Sequence, residues 1–186
     1  MKIVRKFAPT SKNTFSIGPV KKLIKRYQNH QLVSIDPFAN TSRIAKITND
    51  LDPDMPTDYH MDALDFLKMF ETNSVDLVLY DPPFTPRQVA DCYKKFDRTV
   101  NKETTQISYW WNQKRELSRI VKPGGIVIGC GYNSNGCGKK YGFSLKEVLL
   151  VAHGSNHNDT IVTVDQKLQS KICELVKNDT KSIKTV

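Results

Sequence analysis

Apolar positions along the chain change their spacing several times, and each change marks an element. Val20, Leu23, Ile24 and Tyr27 recur at helical spacing between Ser16 and Gln28, which predicts a short amphipathic helix with Ser16 as its N-cap. Gln31-Leu32-Val33-Ser34-Ile35 reads as a strand running straight into Asp36-Pro37-Phe38, and Lys46-Ile47-Thr48 as a weaker strand ending at Asn49-Asp50. Leu64, Phe66, Leu67 and Phe70 place a helix over Asp62 to Phe70. Ser74 to Tyr80 contains the strongest strand, Val75-Asp76-Leu77-Val78-Leu79. A further helix spans about Gln106 to Ile120 and stops near Lys122-Pro123-Gly124-Gly125. Ile126-Val127-Ile128 follows as an apolar strand. Lys146 to Ala152 and Thr160 to Val164 read as two last strands that can pair antiparallel.

This alternation predicts an α/β fold: a Rossmann-like, mostly parallel sheet flanked by helices, with an antiparallel terminal strand pair. No internal repeat or long linker divides the chain, so residues 1–186 are expected to form a single domain. Within it, residues 1–30 are a basic N-terminal segment, and residues 166–186 either fray or hold a short helix around Leu168, Ile172 and Leu175. In such sheets ligands gather at the carboxyl ends of the strands, near the point where strand order reverses. Asp36, Asp50 and Asp81 all fall at strand ends of that kind.

Composition narrows the class. No run approaches the roughly 18–20 consecutive apolar residues that a membrane helix needs, and Met1-Lys2-Ile3-Val4-Arg5-Lys6 has no apolar stretch behind it that reads as a signal peptide. Four unclustered cysteines suit reduced thiols, so a cytoplasmic protein is expected. The formal charge of +9 is uneven: Lys2, Arg5, Lys6, Lys12, Lys21, Lys22, Lys25 and Arg26 lie in residues 1–30 with no Asp or Glu among them. Lys94, Lys95, Arg98 and Lys102 form a second cluster, and Lys139 and Lys140 a third. Clustered cations favour a polyanion, because each phosphate contact releases condensed counterions, although a solvated basic surface has the same composition.

The chemistry concentrates at Asp81-Pro82-Pro83-Phe84. An aromatic amine is a poor nucleophile, since its lone pair is delocalised into the ring until the nitrogen pyramidalises. Two acceptors aimed at its two N–H bonds favour that geometry and disperse the developing positive charge. Asp81 offers a carboxylate and the Pro82 carbonyl a second acceptor, while consecutive prolines keep the backbone stiff. Phe84 can stack on a base swung out of its helix.

Following the strand that ends at Tyr80, these four residues resemble the Asp-Pro-Pro-aromatic signature of S-adenosylmethionine-dependent amino-methyltransferases of nucleobases, in particular small adenine-specific DNA methyltransferases of phages and mobile elements. Other segments resemble the family in the same order. Thr14-Phe15-Ser16-Ile17-Gly18-Pro19 looks like its N-terminal segment beside the methionine end of the cofactor, and Asp36-Pro37-Phe38-Ala39 like its cofactor motif. Asn49-Asp50-Leu51-Asp52-Pro53 looks like the segment whose acid binds ribose hydroxyls, here Asp50, and Asp62-Ala63 like the pair that contacts the cofactor adenine. The resemblance therefore implies S-adenosylmethionine as cofactor, held by Thr14, Phe15, Pro19, Asp36, Pro37, Phe38, Asp50, Asp62 and Ala63. It implies methyl transfer to a nucleobase amine, adenine N6 by the family's commoner use with cytosine N4 not separated from it, in DNA before RNA, with Asp81, Pro82, Pro83 and Phe84 catalytic; a non-catalytic nucleic-acid-binding subunit is the alternative. Protein amide methyltransferases are a weaker match, since they usually carry Asn where this chain has Asp81.

Two departures stand out. Where the family has glycines after Ala39, this chain has Asn40-Thr41-Ser42, and Asn tolerates the left-handed turn better than most residues. Too few residues separate Phe38 from Lys46 for an ordinary crossover of about a dozen, so the first crossover helix is expected to be short or absent. No stretch is long enough for a separate recognition domain, so base selection is expected from the loop after Phe84, from residues 131–143, or from a protein partner. The polar stretch from Thr85 to Thr105 reads either as a mobile substrate loop, with Lys94, Lys95 and Arg98 on phosphates and one of Tyr109, Trp110 and Trp111 near the flipped base, or as an exposed helix beside a core aromatic cluster; Asn133 and Asn135 either shape a turn or touch substrate. Cys130, Cys137, His153 and His157 lack usual zinc spacing, so no metal is expected.

Overall fold

The computed structural model describes residues 1–96, 98–100, 106, 108–154 and 157–169. Seven strands form one sheet in the order β1-β6-β7-β5-β4-β2-β3: β1 (Lys2–Phe7), β2 (Ser34–Asp36), β3 (Ile47–Thr48), β4 (Val75–Tyr80), β5 (Val121–Gly131), β6 (Phe143–Ala152) and β7 (Thr160–Lys167). Four of the six pairings are parallel, and β7 runs antiparallel between β5 and β6. The chain thus has the mixed Rossmann-like sheet that its alternating pattern predicts. Its helices are α1 (Gly18–Tyr27), α2 (Ala63–Lys68), α3 (Pro86–Lys95) and α4 (Ser108–Ile120). No helix among the described residues is long and apolar enough to cross a membrane.

Two buried layers hold the helices to the sheet. On one face, Val20, Leu23 and Ile24 of α1 pack against Leu77, Leu79, Ile128, Leu149, Val162 and Val164. On the other, Phe66 and Leu67 of α2 and Leu117 and Ile120 of α4 pack against Ile35, Val75, Val78 and Val127. The alternation of neighbours such as Val162 and Thr163, or Val164 and Asp165, follows from the two-residue period of a strand.

Four local expectations need correction. The helix at Ser16 starts later, because Thr14–Ser16 forms a 3-10 turn capped by the Asn13 side chain, and Ile17 precedes α1. Residues 2–7 are not merely a basic segment: they add β1 to the sheet edge, parallel to β6. Only Val4 packs against the core there, while Ile3 and Phe7 are exposed, so the strand carries no strong apolar alternation. The loop after Phe84 is not a continuous loop either, since Thr85 and Gln88 form a capping box that starts α3. Finally, β5 begins at Val121 and runs through Pro123-Gly124-Gly125, with a register shift opposite Val75 and Leu77 absorbing the irregular stretch. The expected tail helix around Leu168, Ile172 and Leu175 lies almost wholly outside the described residues, as do residues 101–105.

The missing crossover helix is borne out. β2 and β3 pair in parallel although no helix lies between Asp36 and Ile47. Side chains hold the connector instead. The fully buried Asn49 donates from Nδ2 to the Pro37 and Met61 carbonyls, at 3.1 and 3.0 Å, and its Oδ1 accepts the Met61 N–H at 3.1 Å. Asn40 takes the left-handed conformation, φ 49°, and donates its backbone N–H to Asp50 Oδ2 at 2.8 Å.

Candidate active site

The carboxyl ends of β2 and β4 open onto a cavity of about 520 Å³. Residues from five distant segments line it: Thr14 and Phe15 from the 3-10 turn, Pro37 and Phe38 after β2, Asp50, Asp62 with Ala63, and Asp81 through Phe84 after β4. The structure therefore brings together most of the residues picked out by the sequence. Two stand apart. Asp36 lies fully buried behind the lining, and Pro19 sits in the first turn of α1, outside it.

Acids dominate this cavity. Asp36 Oδ1 accepts the Phe38 N–H at 3.1 Å, while Oδ2 has no hydrogen-bond partner among the described residues. Burial pushes this carboxyl well above the usual carboxylate range against the Phe38 N–H, and nearby Asp81 and Asp50 push it the same way. Asp81 is pushed up to about 6 by burial, with the Thr14 hydroxyl pulling in the other direction. Asp50 is a scaffold as well as a lining residue, since its two oxygens accept the Asn40 and Asp52 backbone N–H groups at 2.8 and 2.9 Å.

Helix α3 forms the outer wall and is tied down at two points. The Tyr93 hydroxyl donates to Asp62 Oδ2, and Lys95 Nζ meets Asp52 Oδ2 at 2.8 Å. Asp62 Oδ1 caps α2 through the Leu64 N–H, so one carboxylate joins α2 to α3. These contacts place Lys95 on the wall of the first cavity, in an ion pair, rather than where a phosphate would lie beside Phe84. Lys94 is exposed on the same helix, and Arg98 follows its end. None of the three lines the cleft described next.

A second cavity, about 770 Å³, shares Pro82 and Phe84 with the first. Its walls are aromatic: Tyr80, Phe84, Trp110, Trp111 and Tyr132, with Lys114 and Asn133 among the polar groups. Phe84 and Tyr132 lie 5.8 Å apart between ring centroids, tilted by 55°. Trp111 and Tyr132 are 49% and 64% exposed, so these rings face solvent rather than core. Asn133 reaches the cleft, whereas Asn135 only donates its backbone N–H to Asn133 Oδ1, at 3.0 Å, and shapes the turn.

The segment shared by the cavities is braced from α4 and α3. Trp110 Nε1 donates to the Pro83 carbonyl at 2.9 Å. Gln88 Oε1 accepts both the Phe84 and Thr85 N–H groups, at 2.7 and 3.1 Å. Below, the Tyr80 hydroxyl donates to the buried Gln113 Oε1 at 2.7 Å. Tyr93, Tyr109 and Trp110 form an edge-to-face series, with centroid distances of 6.4 and 5.2 Å, that links the wall of the first cavity to that brace. Sequence reading missed Asn49, Gln88 and Tyr93, and offered Trp110 only as one of three aromatics near a flipped base. The Thr85-Pro86-x-Gln88 spacing is a legible helix start that exposes Gln88 and Tyr93, but no local signal identifies the bond from Trp110.

No protein-family model and no curated protein sequence matches the chain. Solved structures share its fold. The 1,6-didemethyltoxoflavin-N1-methyltransferase of Burkholderia thailandensis, with bound 1,6-didemethyltoxoflavin and S-adenosylhomocysteine, superposes with a TM-score of 0.56 at 10% identity, over 82% of this chain and 78% of that one. TrmN from Thermus thermophilus gives 0.55 at 17% identity, over 82% of this chain and 49% of its own, so this chain spans about half its length. A candidate methylase from Haemophilus influenzae gives 0.51 at 16% identity, over 80% and 88%. At these identities the likeness is one of fold.

Proposed function

We propose that this chain transfers a methyl group from S-adenosylmethionine to the exocyclic amine of a nucleobase, adenine N6 in DNA. One observation carries the reading: Asp81-Pro82-Pro83-Phe84 lines an acid-bearing cavity, and its Pro82 and Phe84 also line an aromatic cleft. A transferase of this kind needs its donor and acceptor in adjoining sites, within reach of each other.

The first cavity fits the cofactor by chemistry. A ligand carrying an ammonium, a sulfonium and ribose hydroxyls is matched by Asp50, Asp62 and Asp81 of the lining, with Asp36 buried behind it and its Oδ2 without a partner among the described residues. Phe15, Phe38 and Met61 supply apolar walls. When bound, this group supplies an electrophilic methyl that is displaced directly, with no metal and no covalent intermediate on the enzyme.

The chain's own residues do the rest. The Asp81 carboxylate and the Pro82 carbonyl accept the two N–H bonds of the amine and favour its pyramidal, nucleophilic form. The Pro83 carbonyl is already bonded to Trp110, which fixes the direction in which its neighbour points. Phe84, with the Tyr132 ring 5.8 Å away, offers an aromatic surface on which a flat ring can stack. The Asp81–Phe84 motif suits adenine N6 and cytosine N4 alike, and the choice of adenine in DNA follows the commoner use of the family that it resembles. Because α3 closes the first cavity, selection of the target base falls to residues 131–143 or to a partner.

The test is transfer of labelled methyl groups to duplex DNA, single-stranded DNA and RNA, beside calorimetric titration with S-adenosylmethionine. Micromolar cofactor binding that Asp50→Ala loses, with label on adenine N6 of DNA, is expected. Binding without transfer to any nucleic acid overturns the substrate. Absence of binding overturns the catalytic reading altogether.

A further inference from the structure

A third hollow, about 430 Å³, lies between α1 and the end of the β2–β3 connector, away from both cavities. Its rim carries the cations Lys21 and Lys25, one helical turn apart on α1, and Arg43 and Lys46 from the connector, with His30 beside them. No carboxylate lines it. Arg43 is fixed by bonds from Nη1 to Thr48 Oγ1 and the Pro56 carbonyl, at 3.0 and 2.6 Å, and by an ion pair with Asp58 at 3.3 Å. Among the described residues, none of Lys21, Lys25 and Lys46 forms an ion pair. Like charges at i and i+4 on a helix repel by a few tenths of a kcal/mol, a cost that a bound anion removes.

The floor is different. Ile24, Leu32, Ile44 and Ala45 give it an apolar base. The Gln28 side chain donates to the Ile44 carbonyl at 2.5 Å, which ties the end of α1 to the connector, so the two sides of the hollow are held in register. Cations above an apolar floor suit a phosphate ester whose sugar or base rests below. We infer that this hollow binds phosphate groups, and that the phosphates belong to a nucleic-acid strand whose target base occupies the aromatic cleft. A free nucleotide shares the phosphate chemistry. Only the choice of strand rests on the proposed function.

The position has a further consequence. Residues 37–40 of the connector line the first cavity, and residues 43–46 line the hollow. Ser34 at the start of β2 reaches the hollow, while Asp36 at its end lies behind the first cavity. In sheet order the hollow is at the β2–β3 end, whereas Gly129 and Thr163 of the aromatic cleft belong to β5 and β7. At about 4.8 Å per strand, a ligand bridging the two spans on the order of 15 Å or more. Such a span requires a polymer rather than a single nucleotide.

The experiment compares the full chain with its Lys21→Ala/Lys25→Ala/Lys46→Ala variant, which alters exposed side chains only. Fluorescence anisotropy with a long oligonucleotide is followed across salt concentrations, with adenosine monophosphate as a separate ligand. Cofactor titration checks that the variant is folded. The expected result is roughly tenfold or greater weakening of the oligonucleotide, with its log–log salt slope smaller in magnitude by about 2–3. Weakening confined to adenosine monophosphate assigns the phosphate site to a free nucleotide and overturns the strand. Unchanged affinity for both ligands overturns the site. A Tyr132→Ala variant separates this from the catalytic reading: if it alone loses oligonucleotide binding, the hollow proposal fails and the cleft stands. If the full chain methylates no nucleic acid but the lysine variant still loses phosphate binding, the reverse holds.

Discussion

The two cavities that share the Pro82–Phe84 wall are built from opposite materials. The first is lined by Asp50, Asp52, Asp62 and Asp81, and its walls are stitched by hydrogen bonds from Asn40, Tyr93 and Lys95. The second is lined by Tyr80, Phe84, Trp110, Trp111 and Tyr132, and two of those rings stand largely in solvent. Fixed acids select a particular polar ligand, because each buried lone pair must find a donor. Exposed rings accept any flat surface, because stacking is tolerant of sequence. On the proposed function, specificity for the donor is built into the body of the fold, and the acceptor side is left open to be completed by loops or a partner.

The largest effect is expected at the wall itself. Asp81→Asn keeps the shape but replaces an anionic acceptor by an amide, so methyl transfer should fall by about 10²–10⁴. Cofactor affinity should move little. Equal losses in transfer and cofactor binding would show that Asp81 serves the first cavity only. Activity of the unmodified chain should rise with pH toward a plateau above about 6, since only the ionised Asp81 accepts both charge and proton.

Stability should show the same group with the opposite slope. Between the usual carboxylate value and about 6, folded Asp81 keeps a proton that the unfolded chain has lost. The folded state binds more protons there, so stability falls as pH rises through that window and levels off above it. The amplitude is roughly 2–3 kcal/mol at most. Asp36 is raised in the same direction, so the difference between the unmodified chain and Asp81→Asn isolates the contribution of Asp81. Denaturation midpoints from pH 4 to pH 7 that run parallel in both proteins would remove Asp81 as a buried titrating group.

Next in size is the aromatic side. Phe84→Ala should raise KM for nucleic acid by about 10–100-fold, the worth of one stacked base, and leave cofactor affinity within a few fold. Phe15→Ala should do the converse, since Phe15 lines the first cavity alone. If both variants weaken both ligands alike, the wall is one continuous site and the contrast between the cavities fails. Trp110→Phe keeps an aromatic ring and removes only the N–H donated to the Pro83 carbonyl. At about 0.5–1.5 kcal/mol for a neutral hydrogen bond, a loss of up to about tenfold in kcat is expected with KM nearly unchanged.

The first cavity was far more legible in the sequence than the second, and physics explains why. Asp36 and Asp81 lie at the ends of strands whose apolar patterns are plain, and Asp50 follows a weaker one, so topology gathers them. The left-handed turn at Asn40 and the helix-free crossover both followed from residue type and spacing. The aromatic cleft draws on residues 80–86, 106–114, 129–137 and 163, and no local pattern says that Trp110 will meet Pro83. Its aromatics read equally well as core. β1 was missed for a related reason, because an edge strand with Lys2, Arg5 and Lys6 lacks the apolar alternation that marks a half-buried one. Lys95 shows the limit of charge counting: a cation assigned to a phosphate closes an ion pair with Asp52 instead.

The smallest expected effect tests the left-handed turn at Asn40. Asn40 sits at φ 49°, and its N–H is held by Asp50 at 2.8 Å. Asn reaches this conformation with little strain, whereas an ordinary L-residue loses about 1–2 kcal/mol there. Asn40→Gly should accordingly be near neutral in urea denaturation, within about 0.5 kcal/mol, since relief of the side chain is offset by the freer unfolded chain. Asn40→Ala should lose roughly 1 kcal/mol and weaken cofactor binding, while leaving oligonucleotide binding at the aromatic cleft unchanged. An alanine variant as stable as the original would mean that the Asp50 bond, not residue type, fixes the turn.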